Sequence, residues 1–271
     1  MVDTTGYDKM RRGELYPNPD WHLIELQADT LGLPLASDEI AQAYDEPSIL
    51  IQPNQTITFS FTVDQTGFYT LRFDYAASTE RLNAPEASLK IDGAYPYYEL
   101  RRLIFNNTFL DAAKTFDLDR YGNETYIKLI RQSVWGVNEL WDANFSQPYP
   151  LKLYLTEGTH EFSMTVAVSS MYMGTIRLVA STQYPTYEAY RTSRQAPEVT
   201  GVKLTLQAEH PTSRNSTAVI TAMDRDLNVT PYATDQLLMN VLGGDGWAQS
   251  GSGVNYQITV AKAGYYQLSF H

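Results

Sequence analysis

The sequence contains no cysteine. That excludes disulfide staples, thiol nucleophiles and Cys-ligated metals together. Long apolar runs are missing too: none approaches the roughly 20 residues that cross a bilayer as a helix, and no membrane insertion by this chain is expected. Residues 1–12 are polar and lack the apolar stretch of a secretory leader, so none is expected there. Basic residues are in the minority, 20 Lys and Arg against 31 Asp and Glu, for a net charge of −11. A nucleic-acid partner needs a basic face to displace counterions, and an anionic membrane would repel the chain. No nucleic acid is therefore expected as a partner. The four histidines, His22, His160, His210 and His271, have no zinc-site spacing. Gly-x-Ser-x-Gly elbows, Walker loops and dinucleotide fingerprints are also absent. With 31 acidic residues some carboxylate pair always looks plausible, but no catalytic residue is nominated and no enzyme is expected.

What is present is alternation. Ile57, Phe59, Phe61 and Val63 are spaced by Thr and Ser, the period-two pattern of a strand with one buried face. Asp64–Gly67 reads as a turn, and Phe68, Tyr69, Leu71, Phe73 and Tyr75 begin a second such strand. Further strands are expected at 21–28, 88–91, 151–155, 160–168 and 173–179. Asp92-Gly93 marks a turn, and Glu157-Gly158 reads as the bend of a hairpin. Short strands with few helical stripes give an all-β fold, an antiparallel β-sandwich.

An internal repeat sets the domain plan. Gly67-Phe68-Tyr69-Thr70-Leu71-Arg72-Phe73 recurs as Gly264-Tyr265-Tyr266-Gln267-Leu268-Ser269-Phe270. The preceding strand recurs at the same offset as Tyr256, Ile258 and Val260, and Leu26-Gln27-Ala28-Asp29 is echoed by Leu206-Gln207-Ala208-Glu209. The plan is one complete module over 1–182 with a long insert at 94–150, a linker at 183–200, and a partial second copy over 201–271. Only His271 follows Phe270, so the second copy is expected to continue in a longer protein and, until covered, to leave apolar surface.

Several runs carry a resemblance: Gly67-Phe68-Tyr69-x-Leu71-x-Phe73-x-Tyr75, Leu89-x-Ile91-Asp92-Gly93, and Leu153-x-Leu155-x-x-Gly158-x-His160. They resemble carbohydrate-binding modules of the galactose-binding-like, jelly-roll class. With Asp119-x-x-Gly122-Asn123, Trp141, Gly174-Thr175-Ile176-Arg177-Leu178 and Leu242-Gly243-Gly244-x-x-Trp247, the order of motifs is similar to the N-terminal region of extracellular solute-binding proteins of bacterial ABC transporters. The resemblance covers nearly the whole chain. It implies non-catalytic modules outside the cell on a protein that handles oligosaccharides, with a transporter-type binding domain beyond residue 271. The alternatives are a structural spacer that binds no glycan, and an accessory domain of a glycoside hydrolase.

A loop as long as 94–150 is uncommon unless it is functional or has structure of its own. Aromatic faces stack on the C–H faces of sugar rings, while amide and guanidinium groups hold hydroxyls. The candidate glycan site is therefore Trp135, Trp141, Asn138, Arg101, Arg102 and Tyr97; the alternative is that both tryptophans pack the insert as a small core. A structural calcium is the one cofactor entertained, on the first-strand oxygens Gln27 and Asp29 and their counterparts Gln207 and Glu209. Asp117-x-Asp119-x-x-Gly122 starts like an EF-hand loop but meets Lys128 where the bidentate Glu belongs, so it reads as a polar loop.

Overall fold

The computed structural model describes residues 24–181, 185–194, 196–243 and 245–270. Trp21, His22, Gly244, His271 and the polar stretch 1–12 lie outside them. In chain order the strands are β1 (Ile24–Leu26), β2 (Ile49–Ile51), β3 (Thr56–Val63), β4 (Gly67–Ala77), β5 (Glu86–Ile91), β6 (Leu103–Ile104), β7 (Thr108–Asp111) and β8 (Leu129–Gln132). Then follow β9 (Gly136–Glu139), β10 (Leu153–Leu155), β11 (Gly158–Val166), β12 (Met171–Ala180), β13 (Ser213–Arg214), β14 (Ile220–Ala222), β15 (Val241–Gly243) and β16 (Val254–Asn255). The helices are α1 (Glu39–Gln42) and α2 (Tyr187–Arg194). The chain divides into two compact units, 1–108 with 131–183, and 109–130 with 184–271.

The first unit is an antiparallel β-sandwich. One sheet runs β1-β12-β4-β10, with β2 beside β12 and β9 beside β4; the other runs β3-β11-β5-β6. Strand β3 alternates exposed and buried along its length. Phe59, Phe61, Val63, Leu71 and Phe73 are all buried, as the period-two pattern predicts. Phe59 stacks on Phe162 and Phe61 meets the same ring edge-on, both at 5.3 Å, so one aromatic cluster fills the centre of the core. On the solvent face of β3, Thr56 and Thr62 pair by their hydroxyls with Thr165 and Thr159 of β11.

Two turns behave differently from one another. At Asp92-Gly93 both residues have positive φ, and Ile91 and Ala94 exchange backbone hydrogen bonds of 2.8 and 3.0 Å, which is the tight hairpin turn that Asp-Gly favours. Glu157-Gly158 does not close a hairpin. It carries the chain from β10, in the first sheet, to β11, in the second. The residue types announce a bend and say nothing about which sheet receives the next strand.

The Asp92 turn is tied to β11 by its side chain. Asp92 Oδ1 accepts from Glu161 N–H, and Oδ2 lies 2.7 Å from His160 Nδ1, whose Nε2 contacts the Thr156 carbonyl at 2.8 Å. Burial pulls the His160 pKa down, but the hydrogen bonds to Asp92 and Thr156 and the Asp92 charge outweigh it, so the net shift is upward. For Asp92, burial pushes the carboxyl up, and the His160 and Glu161 hydrogen bonds bring it below its ordinary value. The signs follow: the His160 contribution is full below its unfolded pKa and fades as pH rises through the folded one, and the Asp92 contribution fades as pH falls through its own. Thermal melts should therefore show His160→Gln costing more stability near about pH 5.5 than near about pH 8.5. A pH-independent difference would remove the charge from the account.

The second unit contains the four-stranded sheet β16-β13-β7-β8 and the pair β14-β15. Three expectations are corrected here. Residues 109–130 do not belong to the first module: Phe109 pairs with Arg214, Glu124 N–H donates to the Leu237 carbonyl, and Phe116 stacks on His210 at 5.0 Å. The expected linker contains α2, started by Thr186, whose hydroxyl accepts from Ala189 N–H, and ended with Arg191 and Arg194 near its negative pole. The described residues 256–270 form no strand, and Ile258, Val260, Leu268 and Phe270 are exposed. Gly67 opens a strand, whereas Gly264 is pressed against residues 197–199, where an added Cβ would lie 2.6 Å from the Pro197 carbonyl oxygen. In the first unit β4 pairs only with strands that come later in the chain, β9, β10 and β12, and the described residues of the second unit include no such later strands.

Candidate functional site

The six nominated residues do not form one site. Tyr97 is fully buried and its hydroxyl donates to the Lys152 carbonyl at 2.9 Å. Asn138 is buried on β9 and its Nδ2 donates to the Ile104 carbonyl. Both are core residues that satisfy buried backbone oxygens, and neither is open to a ligand. Trp135 and Trp141 stand at opposite ends of β9, separated by about 20 Å of extended chain.

Arg102 is exposed but paired in a fork with both Glu86 carboxylate oxygens, at 2.7 and 2.8 Å. The Glu86 hydrogen bond and charge raise its pKa. Arg101 lies over the Tyr95 ring at 5.3 Å, and Lys90 lies over the same ring at 5.4 Å. Trp141 is half-buried and tilted against Phe145 at 5.8 Å. The loop after it is organised by the buried Asp142, which accepts from Asn144 N–H, Ser146 N–H and the Ser146 hydroxyl.

Trp135 has the more elaborate setting. Its indole N–H donates to the Ile40 carbonyl at 2.7 Å, one face lies 4.2 Å from the Tyr44 ring at an interplanar angle of 17°, and Tyr172 meets it edge-on. Tyr44 is itself wedged in place. Its hydroxyl donates to Asp74 Oδ2 at 2.7 Å and accepts from Thr175 N–H at 3.2 Å. Burial, chiefly, raises the Tyr44 pKa. Asp74 also receives Arg177 Nη1 at 2.6 Å, while Arg177 Nε donates to Glu25. Asp38 caps α1 through Ala41 N–H and accepts from the Tyr172 hydroxyl, the stronger of the causes that lower its pKa. The result is a ring held rigidly at the surface, half-buried, with carboxylates and hydroxyls beside it.

The wedge has a glycine behind it. A Cβ at Gly174 would fall 2.5 Å from Tyr44 Cε1, and the ring cannot retreat because Trp135 and Asp74 hold it. Gly174→Ala is therefore expected to cost about 1–3 kcal/mol and to loosen Tyr44 and Trp135 together. Denaturation monitored by tryptophan fluorescence checks this, and an unchanged midpoint would show that the ring has room to move.

Of the four residues expected to hold calcium, Gln27 lies beside Thr175 and Glu46. Thr175 Oγ1 is in contact with both Gln27 Oε1, at 3.1 Å, and Glu46 Oε2. A hydroxyl has one proton, so it can donate to only one of them. Three oxygens thus converge in a way that suits a hard cation, although with one carboxylate the charge is low. Asp29 is exposed on the 3-10 turn Ala28–Leu31. Gln207 is exposed, and Glu209 is buried, its backbone carbonyl accepting from Thr221. Among the described residues no three His, Cys, Asp or Glu side chains gather at metal-binding distance.

Sequence reasoning missed Tyr44, Asp74 and Gly174. A signal existed for one of them: Asp74 interrupts the apolar run Phe73-Asp74-Tyr75, and a charge inside such a strand requires a partner. Nothing local marked Tyr44.

Neither a protein-family model nor a curated protein matches the chain. Among solved structures, it is similar to a family 35 carbohydrate-binding module from Clostridium thermocellum, at 12% identity and TM-score 0.34, over 58% of this chain and 98% of that one. A ruminal GH26 endo-β-1,4-mannanase aligns at 15% identity and TM-score 0.36, over 64% of this chain and 28% of the enzyme. The GH115 4-O-methyl-α-glucuronidase BtGH115A aligns at 9% identity and TM-score 0.35, over 59% and 18%. The chain thus spans under a third of either enzyme. At such TM-scores the likenesses carry no argument, and function has to be argued from this chain's own side chains.

Proposed function

We propose that the chain is a non-catalytic carbohydrate-binding module, acting outside the cell as an accessory region of a protein that handles oligosaccharides. The observation that carries this reading is Trp135. Its N–H is already committed to Ile40, one face is supported by Tyr44 and Tyr172 lies edge-on to it, so what a partner would meet is the exposed part of a half-buried, rigid ring. Such a surface stacks on sugar C–H faces with little loss of side-chain entropy. A shallow site of this kind binds weakly, in the micromolar to millimolar range. The finer reading, an accessory region of a solute-binding protein for sugar uptake followed by a transporter-type domain, is supported by the order of sequence motifs. A structural calcium on Gln27, Glu46 and Thr175 would fix β1 and β12 to the loop that carries Tyr44.

The same stack also favours a second reading, a spacer in which Trp135 merely anchors α1. A glycan array with the full chain separates the two. Wild type should bind and Trp135→Ala should lose about tenfold or more in affinity. A blank array for wild type leaves the spacer. Repeating the melts with a chelator tests the calcium, which an unmoved transition would eliminate.

A further inference from the structure

Residues 24–71 contain seven Asp and Glu and no lysine, arginine or histidine, in a chain that has 20 Lys and Arg. This stretch holds Trp135: the Ile40 carbonyl takes its N–H and the Tyr44 ring supports one face. The next residues along the chain are acids. Glu39 precedes Ile40 and Asp45 follows Tyr44; both are exposed, and among the described residues neither carboxylate has a hydrogen bond or an ion pair. Asp38 is also exposed, with Oδ2 2.6 Å from the hydroxyl of Tyr172, whose ring centroid lies 6.4 Å from that of Trp135. Against these carboxylates stand Arg177, already shared between Asp74 and Glu25, and Arg131, whose guanidinium donates to the carbonyls of Thr79 and Arg81. The balance around the exposed part of Trp135 is negative.

From this charge balance we infer that the sugar taken at Trp135 is an amino sugar, with its nitrogen free and protonated. The inference rests on the carbohydrate-binding reading and supplies the class of ligand. An indole ring attracts an ammonium through its quadrupole, and does so better than the other aromatic rings. The carboxylates add to that attraction without having to touch the ligand. Successive Cα atoms are about 3.8 Å apart. Charges one residue from the groups that touch the ring therefore act on its ligand within a Debye length, about 10 Å at 0.1 M salt and about 30 Å at 0.01 M. A uronate meets the same field with the opposite sign and is rejected, while a neutral hexose gains nothing from it. Calcium on Gln27, Glu46 and Thr175 would still leave Asp38, Glu39 and Asp45 uncompensated, so the two sites do not compete.

The indole N–H resonance of Trp135, assigned by its loss in Trp135→Phe, reports the site. Glucosamine, galactosamine and mannosamine are titrated into the full chain beside their parent hexoses and glucuronate, at about pH 6, where an ordinary amine is protonated. At about 0.01 M salt at least one amino sugar should bind about fivefold or more tightly than its parent. At about 1 M salt, where the Debye length is about 3 Å, the preference should shrink to about twofold or less. The double variant Glu39→Gln with Asp45→Asn, shown by its melt to be folded, should shrink it likewise at low salt. Equal affinity for amino sugar and parent, tighter binding of glucuronate, or a preference unmoved by salt or by the double variant would overturn the inference and leave Trp135 as a sugar platform. No saturable shift with any of these sugars would overturn the inference and the platform together.

Discussion

Phe162→Ala is expected to bring the first unit close to unfolding. Phe162 is fully buried at the centre of β11, opposite Phe59 of β3 on one side and Ile91 of β5 on the other. Its ring stacks on Phe59 and is met edge-on by Phe61, so alanine removes a buried ring and two aromatic contacts at once. Both strands that flank the cavity are tied to β11 by backbone ladders, which limits how far the walls can collapse. The cost should be about 3–5 kcal/mol, against a total stability of about 5–15 kcal/mol for ordinary domains. Urea unfolding should show a lower midpoint with an unchanged slope. Phe162→Leu, which keeps most of the volume, should cost less than about half as much. A loss below about 1 kcal/mol for the alanine variant would mean that the three-ring cluster is not the centre of this core.

The parts of the fold that were legible are those in which one face of a strand is buried and the other wet. Strand β3 is the clearest case: the hydroxyls of Thr56 and Thr62 face solvent and Ile57 to Val63 alternate with them into the core. In β4 the alternation is blurred because Phe68 and Asp74, on the outer face, are buried too, one against Tyr154 and the other against Tyr44 and Arg177. Connections were harder to read. Asp92-Gly93 and Glu157-Gly158 carry similar turn chemistry, yet one closes a hairpin and the other changes sheet, since that outcome depends on partners far along the chain. The division of the insert was invisible for the same reason. Residues 109–130 find Arg214, Leu237 and Met239 about a hundred positions later, and no local pattern encodes that pairing.

The candidate site was legible only in part. Aromatic and amide side chains serve cores and binding surfaces alike, and burial decides between them. Tyr97 and Asn138 each found a backbone carbonyl to satisfy inside the sandwich, so neither is available. Trp135 is half-buried against a support, Tyr44, that depends in turn on the absence of a side chain at Gly174. The repeat misled for a related reason. It matched residues by type, but a strand needs neighbours, and, among the described residues, 256–270 pair only at Tyr265, in an isolated bridge to Glu198.

Asp111→Ala should be the most damaging single change in the second unit. Asp111 is largely buried and pairs with Arg214, whose side chain is only 2% exposed. Burial pushes the Asp111 carboxyl above its ordinary pKa even though the Arg214 charge pulls it down, and burial likewise lowers the Arg214 pKa. Both shifts mark a pair held at some cost in desolvation. Removing one partner leaves the guanidinium buried with only long contacts to Thr221 and Val219, and a loss of about 3–5 kcal/mol follows. Removing both should cost less, because the double variant Asp111→Ala with Arg214→Met buries no unpaired charge. The check is a double-mutant cycle followed by amide hydrogen exchange of β13 and β14, which reports the second unit without assuming that both units unfold together. A double variant less stable than Asp111→Ala alone would show that Arg214 stabilises the fold by packing, with its charge playing no part.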